Sequence, residues 1–223
     1  MTVASSTVEQ SIATFLTQCH RRQFPAKAAI IRQGDPAGEL YYIISGSVTV
    51  LLEDDKGHEI VLAYLNPGDF FGEIGLFNAD ANRTALVRAR VESEVAQISY
   101  KKLRGLTELY PDLIIAMTTQ IARRLRNTNR KLGDLAFMDV YGRVARTLLD
   151  LCEQPDAMTH PDGMQVKVTR QELARLVGCS REMVGKVLKD MEEQKHISVA
   201  GKNIVVLGVL PKSSRDASQL AET

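Results

Sequence analysis

One stretch of the sequence combines glycines, a carboxylate, a guanidinium and a hydroxyl in a pattern that suits a phosphate-bearing ligand. Gly72 and Gly75 let the backbone approach a ligand closely, and such an approach exposes amide groups. Arg83 and Thr84 suit a phosphate with a single negative charge, and Glu73 can accept a hydrogen bond from a sugar hydroxyl. An alternative stays open, in which both glycines only shape a bulge and a turn while Glu73 pairs with Arg83.

A second stretch has the caps and the turn of two short helices packed closely together. Thr169 and Glu172 form a capping box at the start of the first helix. Gly178 stands where the chain must turn in a left-handed conformation, and Ser180 can cap the second helix. An ordinary pair of helices shares these features, but residues 170–189 carry five basic and two acidic side chains. This local excess of positive charge favours a DNA-binding helix-turn-helix.

The first turns of the second helix hold the residue types that read base edges. In a helix that enters the major groove, these turns face the bases, here Ser180, Arg181 and Glu182, with Lys186 one turn later. Arg181 offers a two-pronged donor for guanine, and Glu182 an acceptor for cytosine. An acid in such a helix repels phosphates unless it reads a base, so Glu182 is the more informative. Candidates for phosphate contacts lie at the start of the first helix: Thr169, Arg170 and Gln171.

The phosphate-suited residues need a β-sheet scaffold, which the sequence between residues 23 and 99 predicts. Short apolar runs alternate there with clusters of Gly, Pro, Asn and Asp, the last of them from Asn78 to Asn82, which is typical of an antiparallel barrel or sandwich. Runs rich in Val, Ile, Leu and Tyr predict strands at residues 41–44, 48–52, 60–65, 85–89 and 95–98.

A long helix is predicted next, because Pro111 suits a first helical turn and no further Gly or Pro occurs before Gly133. Its apolar residues recur at steps of three or four, with charges beside them. This pattern favours a two-fold coiled-coil dimer over a helix that lies on its own barrel. The predicted seam consists of Ile114, Met117, Ile121, Leu125, Thr128, Leu132 and Leu135.

A second unit follows, beginning with Asp139 as the cap of another helix. Two prolines and a glycine predict a surface loop at residues 154–163, and a strand is predicted at 165–168. Residues 196–206 predict a hairpin that turns at 200–203. The tail after Pro211 lacks an apolar period, which predicts disorder.

Two unlike motifs in this order resemble the cyclic AMP receptor protein (catabolite activator protein) family, especially its virulence-factor-regulator branch. They are FxGExGLF with the later Arg-Thr pair, and TRQELxxLVGCSREMVGxVLK, with ARRLxxT on the long helix between them. The resemblance covers residues 19–208 and implies an α+β fold: an N-terminal jelly-roll-like β-roll that binds cyclic AMP, a long dimerisation helix and a C-terminal winged helix-turn-helix. It also implies double-stranded DNA with inverted-repeat operators as a partner, and TGTGA-like half-sites.

The resemblance assigns roles residue by residue. It implies that Gly72, Glu73, Arg83 and Thr84, with Ile74 beside them, hold the ribose and cyclic phosphate. It places Arg124, Thr128 and Asn129 where the long helices reach the nucleotide, which also explains the polar Thr128 in the seam. Arg181, Glu182 and Lys186 match base-reading positions, and the loop from Ala157 to Met164 matches a surface that touches RNA polymerase.

Two departures from the family pattern bear on these roles. The family often has Ser where this chain has Asn129, an amide that offers a purine both a donor and an acceptor. It often has Arg where this chain has Lys186, which loses a bidentate fork but keeps a donor for guanine. Another cyclic nucleotide (cyclic GMP or cyclic di-GMP), or activity without a ligand, therefore stays open as an alternative.

The resulting domain prediction is a cyclic-nucleotide-binding β-roll at residues 9–109, the dimerisation helix and hinge at 110–137, the winged helix-turn-helix at 138–210 and a disordered tail at 211–223. With 223 residues, of which 44% are hydrophobic, the chain can bury real cores. A net charge of +1 means that DNA binding must rest on a local basic patch.

Composition argues against several other classes of protein. Three scattered cysteines and four dispersed histidines do not suit an iron-sulfur cluster or a metal-binding cupin, and no Ser-His-Asp arrangement is evident, so neither a metal nor an enzyme is predicted. A ligand-binding module without DNA fails to explain the capped helix pair and its charge. No apolar run approaches the ~20 residues of a membrane span, and the N-terminus lacks signal-peptide features. The cysteines suit reduced thiols, so we expect a cytoplasmic protein without membrane partners.

Overall fold

The computed structural model describes residues 3–77 and 82–209, with side chains from residue 8 onward. The predicted turn from Asn78 to Asn82, apart from its last residue, and the predicted tail after Pro211 lie outside the described residues. The chain forms two compact units, residues 1–129 and 130–223. Among the described residues, no helix has the length and apolar character to cross a membrane.

The first unit contains two antiparallel four-stranded sheets. The strands of one sheet are β1 (His20–Phe24), β3 (Glu39–Ser45), β6 (Phe70–Phe71) and β8 (Ser93–Ser99), in the order β1-β8-β3-β6. The strands of the other are β2 (Ala29–Ile31), β4 (Val48–Glu53), β5 (Glu59–Leu65) and β7 (Leu86–Ala89), in the order β2-β7-β4-β5. All five predicted strands are confirmed. The sequence missed β1 because four of its five residues are exposed, so no alternation of burial marks it.

Four helices accompany these sheets: α1 (Val3–Thr17), α2 (Ile74–Phe77), α3 (Tyr100–Leu109) and α4 (Asp112–Phe137). Phe15 of α1 is fully buried and packs edge-on against Tyr42 and Phe70. Leu113 and Met117 of α4 join the same apolar cluster. The first turns of α4 are therefore part of the core of this unit. This agrees with the alternative to the dimer, in which the helix lies on its own barrel.

The predicted seam is consequently wrong in its first members. Met117 is 1% exposed and Ile114 packs against the same cluster, whereas Leu125 and Leu132 leave 59% and 65% of their surfaces in water. A different stripe is exposed along the whole helix, with steps that alternate strictly between three and four. It consists of Ile115, Thr118, Ala122, Leu125, Asn129, Leu132 and Ala136. This is the seven-residue repeat of a coiled coil.

The second unit is a small sheet with three helices of its own. The helices are α5 (Val140–Cys152), α6 (Arg170–Val177) and α7 (Arg181–Glu193). The strands are β9 (Met158–His160), β10 (Gly163–Lys167), β11 (Ile197–Ala200) and β12 (Asn203–Leu207), in the order β11-β12-β10-β9. Asp139 caps α5 as predicted, because its Oδ1 accepts a hydrogen bond from the Gly142 amide at 2.8 Å. The expected α+β architecture is confirmed.

Two local predictions for the second unit have opposite outcomes. The hairpin is confirmed, since Ala200 pairs with Asn203 across its turn. The prediction of a plain loop at residues 154–163 is wrong, because β9 lies inside it and pairs with β10. Strand β9 is only three residues long and half-exposed, so its apolar pattern is too short to indicate a strand from the sequence.

Candidate functional site

The phosphate-suited residues of the sequence line one pocket in the first unit. Its apolar wall comes from both sheets and includes Ile31, Val50, Phe71 and Val87. Its polar and backbone lining holds the predicted set: Gly72, Glu73, Ile74, Arg83 and Thr84. Thr84 is exposed and the Ile74 side chain is 55% exposed at the start of α2, whereas Glu73 and Arg83 are buried.

Arg83 carries a buried positive charge that is held by neutral groups. Its Nη1 donates to the Gly72 carbonyl at 3.1 Å and to the Tyr100 hydroxyl at 3.0 Å, and its Nη2 donates to the Glu39 carbonyl at 2.8 Å. The guanidinium also lies 5.9 Å from the centroid of the Tyr100 ring. Burial raises the pKa of Tyr100, so this phenol is neutral near pH 7. Among the described residues no carboxylate forms an ion pair with Arg83, so its charge is available to an anion.

Gly72 makes the close approach of Arg83 possible. Its φ of +80° is a left-handed conformation that other residues adopt at a cost. A Cβ at this position would lie 2.8 Å from Arg83 Nη1 and 3.1 Å from the Glu39 carbonyl oxygen. Gly75 has a different role, because a Cβ there would lie 2.5 Å from the Ala37 side chain. Gly72 thus shapes the site, while Gly75 permits packing around it.

Glu73 does not pair with Arg83, so that alternative is wrong. Its Oε1 accepts a hydrogen bond from Arg124 Nη1 at 3.1 Å, and the Glu73 side chain is only 9% exposed. Within the described part of the chain, its Oε2 has no hydrogen-bond partner. That oxygen is free to accept a hydrogen bond from a hydroxyl in the pocket.

Helix α4 is tied to the same segment by side chains that the sequence analysis missed, apart from Arg124. The amide of Gln120 accepts from the Phe70 N–H and donates to the Gly68 carbonyl, both at 2.8 Å. Arg123 Nη2 lies 2.7 Å from Asp69 Oδ1, and Arg124 donates to the Phe70 carbonyl. The sequence did hold a signal, since Gln120, Arg123 and Arg124 are spaced i, i+3 and i+4 and therefore share one face of the helix.

The other two α4 candidates are not brought to the pocket. Thr128 and Asn129 are both exposed, and neither lines it. Asn129 is instead a member of the exposed seven-residue repeat, between Leu125 and Leu132. Thr128 is exposed one position away from that stripe, so its place in the seam stays a prediction.

The helix-turn-helix of the second unit has the predicted caps. Thr169 Oγ1 accepts from the Glu172 amide at 3.1 Å, and Ser180 Oγ accepts from the Met183 amide at 3.1 Å. Gly178 ends α6 with φ of 72° and ψ of 49°, the left-handed conformation that the turn requires. The buried faces of the two helices consist of Leu173, Ala174, Val177, Val184, Val187, Leu188 and Met191.

The residues predicted to contact DNA surround one exposed groove beside α7. Four basic residues and one acid line it together with Ser180 and Gly185: Arg170, Arg181, Lys186, Lys189 and Glu182. Thr169 and Gln171 are exposed at the start of α6. The structure therefore gathers the candidate base-reading and phosphate-contacting side chains around the ends of α6 and α7 that face solvent.

A barrel with a pocket suited to a monoanionic phosphate, joined in one chain to a winged helix-turn-helix, defines the class of ligand-controlled DNA-binding regulators. The sequence profile of the cyclic nucleotide-binding domain matches residues 21–110, and that of the Crp-like helix-turn-helix domain matches residues 142–209. The chain belongs to the CRP family of transcription regulators, as its relatives establish.

Three similar proteins support the assignment of the chain to the CRP family. The cAMP-activated global transcriptional regulator Vfr of Pseudomonas aeruginosa is 60% identical over 86% of this chain and 92% of its own length. The cAMP-activated global transcriptional regulator CRP of Escherichia coli O157:H7 is 52% identical over 93% of this chain and 99% of its own. The solved structure of the c-di-GMP responsive global regulator CLP of Xanthomonas campestris is similar with a TM-score of 0.84 and 46% identity, over 90% of this chain and all of that one. These proteins are transcription regulators, in agreement with the prediction that the chain is not an enzyme.

Proposed function

We propose that this chain is a cyclic-AMP-responsive transcription regulator that binds inverted-repeat operators as a homodimer and contacts RNA polymerase. The observation that carries the proposal is the buried guanidinium of Arg83 beside Gly72, which pairs with no carboxylate among the described residues, in a chain that also holds a capped and basic helix-turn-helix. The names of Vfr and CRP as cAMP-activated regulators support cyclic AMP as the ligand.

The pocket fits a cyclic nucleotide monophosphate. Arg83 uses three contacts to fix its plane, and its remaining N–H groups would hold the cyclic phosphate together with the Thr84 hydroxyl. Glu73 Oε2 would accept a hydrogen bond from the ribose hydroxyl. Among the described residues, Arg83 is the single buried basic side chain. One buried cation matches the single charge of cyclic AMP better than the two phosphates of cyclic di-GMP.

The first prediction concerns the affinity for cyclic AMP. Arg83→Leu should weaken binding by about 30- to 150-fold, because it removes a charge-assisted contact worth about 2 to 3 kcal/mol to a partly desolvated anion. Calorimetric titration with cyclic AMP, cyclic GMP and cyclic di-GMP measures this directly. Arg88→Leu is the matched control, since Arg88 pairs with Glu59 at 2.7 Å and does not line the pocket.

Because Arg83 also bonds two backbone carbonyls, each variant's urea unfolding is measured beside its titration. A folded Arg83→Leu protein with wild-type affinity would contradict the assignment. Preferred binding of cyclic di-GMP by the wild type would favour the alternative ligand.

We assign the dimer interface to the exposed seven-residue repeat of α4. Ile115 and Leu125 leave 59% of their surfaces in water and Leu132 leaves 65%, all on one helical stripe. A second copy of the same helix would bury this stripe by coiled-coil packing. Ile114 and Met117 already pack inside the chain's own unit, so they stabilise the barrel rather than the dimer.

The second prediction is that Leu125→Glu yields a folded monomer. A carboxylate in the centre of the stripe would be desolvated opposite its own copy, which is strongly unfavourable. Sedimentation velocity at micromolar concentration measures the oligomeric state. Leu109→Glu should remain dimeric, because Leu109 is 72% exposed on α3, away from the stripe. A dimeric Leu125→Glu protein would assign the interface elsewhere.

The proposed switch couples the nucleotide to the exposed seven-residue repeat of α4 through Asn129, with Thr128 beside it. Asn129 lies in the stripe between two exposed leucines, so in a dimer its amide would be close to the interface that must rearrange. Cyclic AMP can shift the equilibrium between two arrangements only by its differential affinity for them. The break between α4 and α5, from Phe137 to Asp139, is where the helix-turn-helix would be redirected.

The third prediction tests this role of Asn129. Asn129→Ser should change the ratio of cyclic AMP to cyclic GMP concentrations needed for half-maximal operator binding by about two- to tenfold, the worth of one hydrogen bond. The free energy of unfolding should change by less than about 0.5 kcal/mol, because the substitution exchanges one polar side chain for another. Asn127→Ser, on another exposed face of α4, is the control. Equal ratios in all three proteins would remove Asn129 from the mechanism.

Operator recognition is assigned to the exposed end of α7. Arg181 and Glu182 would each face one G·C pair, with Ser180 beside them in the turn that faces the bases, and Lys186 would face a further guanine. The start of α6 (Thr169, Arg170 and Gln171) would hold phosphates. A two-fold dimer would need two inverted half-sites about one helical turn apart.

The fourth prediction is that Glu182→Ala loses discrimination at one cytosine by about 1 to 3 kcal/mol. Its affinity for nonspecific DNA should hold or rise, because a charge that repels phosphates is gone. Binding to every single-base variant of one half-site at fixed salt measures this. Arg170→Ala, in contrast, should weaken all sequences alike and flatten the salt dependence. A uniform loss with Glu182→Ala would show that the carboxylate only braces the helix.

The contact with RNA polymerase is assigned to the loop from Ala157 to Met164. Met158 is 49% exposed, and His160 Nδ1 accepts from the Asp162 amide at 3.2 Å, which fixes the turn between β9 and β10. An ordered and exposed turn is a suitable docking surface. A regulator with these partners works beside the chromosome, in the bacterial cytoplasm.

A further inference from the structure

Helix α7 exposes one apolar side chain at the end that is proposed to enter DNA. Met183 is 40% exposed, and every other exposed residue of α7 carries a charge. Those charged residues are Arg181, Glu182, Lys186, Lys189, Asp190, Glu192 and Glu193. A single exposed apolar residue is common on protein surfaces. The position of Met183 on the helix distinguishes it from such residues.

That position follows from helical geometry. At 3.6 residues per turn, Glu182 and Lys186 form a ridge opposite the buried Val184 and Leu188. Arg181 and Gly185 lie on one flank of this ridge, the flank that faces Arg170 across the groove. Met183 lies on the other flank, in the first turn. Its backbone is fixed there, because its amide donates to Ser180 Oγ at 3.1 Å.

We propose that Met183 is a further specificity-determining residue, whose thioether contacts the C5 methyl group of a thymine in each half-site. The inference rests on the proposed function, in which the ridge of α7 enters the major groove. The thymine methyl is the apolar group that the major groove presents. A methionine suits it because the side chain is flexible and polarisable and gains nothing from a phosphate. Arg181, Glu182 and Lys186 read G·C pairs, so Met183 would add the recognition of an A·T pair.

Replacing single thymines by uracil tests the contact, since uracil lacks only the methyl group. Each thymine of one half-site, on both strands, is replaced in turn, and affinity is measured by fluorescence anisotropy with saturating cyclic AMP. At one thymine the wild type should lose about fourfold in affinity, which is the value of burying one methyl group. Met183→Ala should bind thymine and uracil equally at that position, and Met183→Leu should keep part of the preference.

Leu149→Ala is the matched control. Leu149 is an apolar residue of similar exposure in the same unit, on α5 and not on α7, so the methyl dependence should stay as in the wild type. An unchanged methyl dependence in Met183→Ala would overturn the inference, as would a wild type that ignores every methyl group while it still selects its operator. If the wild type shows no sequence preference at all, the proposed function fails and the inference fails with it.

Discussion

The contact between helix α4 and the segment from Gly68 to Glu73 is the interaction on which the rest of the structure depends. Gln120 completes the hydrogen bonds of two backbone groups there, and Arg124 bonds both Glu73 and a backbone carbonyl. These groups are largely buried, and charge-assisted bonds of this kind are worth about 1.5 to 3 kcal/mol each. The pocket and the part of the exposed stripe from Ile115 to Asn129 therefore belong to the same unit, and these contacts join them.

This assembly also contains the groups that a nucleotide would rearrange. Glu73 holds Arg124 through one oxygen, and its other oxygen has no partner among the described residues, so a sugar hydroxyl would share this carboxylate with Arg124. Arg124 Nε is buried and has no hydrogen-bond partner within residues 3–77 and 82–209, which leaves the guanidinium short of one acceptor there. A ligand that bonds Glu73 would change the strength of the hydrogen bond from Arg124 to Glu73, and would thus act on α4 through a single side chain. The coupling needs no long chain of contacts.

Sequence reasoning found the parts of both sites that rest on local chemistry. Helix caps, turn glycines and short-range charge patterns depend on neighbouring residues, so the roles of Thr169, Gly178 and Ser180 follow from the residues beside them. Partners far apart in sequence could not be assigned in this way: the bond from Arg124 to Glu73 spans 51 residues, and nothing in the pattern distinguishes it from a pair of Glu73 with Arg83. The first members of the seam were predicted wrongly for a related reason. Two apolar stripes run side by side on α4, and periodicity alone does not say which one the barrel covers.

The break between α4 and α5 is held by ion pairs that constrain where the chain can bend. Arg130 Nη2 lies 2.9 Å from Asp150 Oδ2, and Arg146 Nε lies 3.9 Å from Asp134 Oδ2, so two pairs join the last turns of α4 to α5. Burial raises the pKa of Asp150 and lowers the pKa of Lys131. The positive charges of Arg130 and Lys131 favour the ionised form of Asp150, and the negative charge of Asp150 favours the ionised form of Lys131.

A rotation at Phe137 to Asp139 would have to separate these charges, whereas a bend before Arg130, two turns earlier, would leave them intact. The compact units divide between Asn129 and Arg130, which is just before the first of these pairs and just after the amide proposed to sense the nucleotide. The last two turns of α4 thus belong energetically to the winged helix-turn-helix. A signal that reaches Asn129 has therefore already reached the edge of the DNA-binding unit.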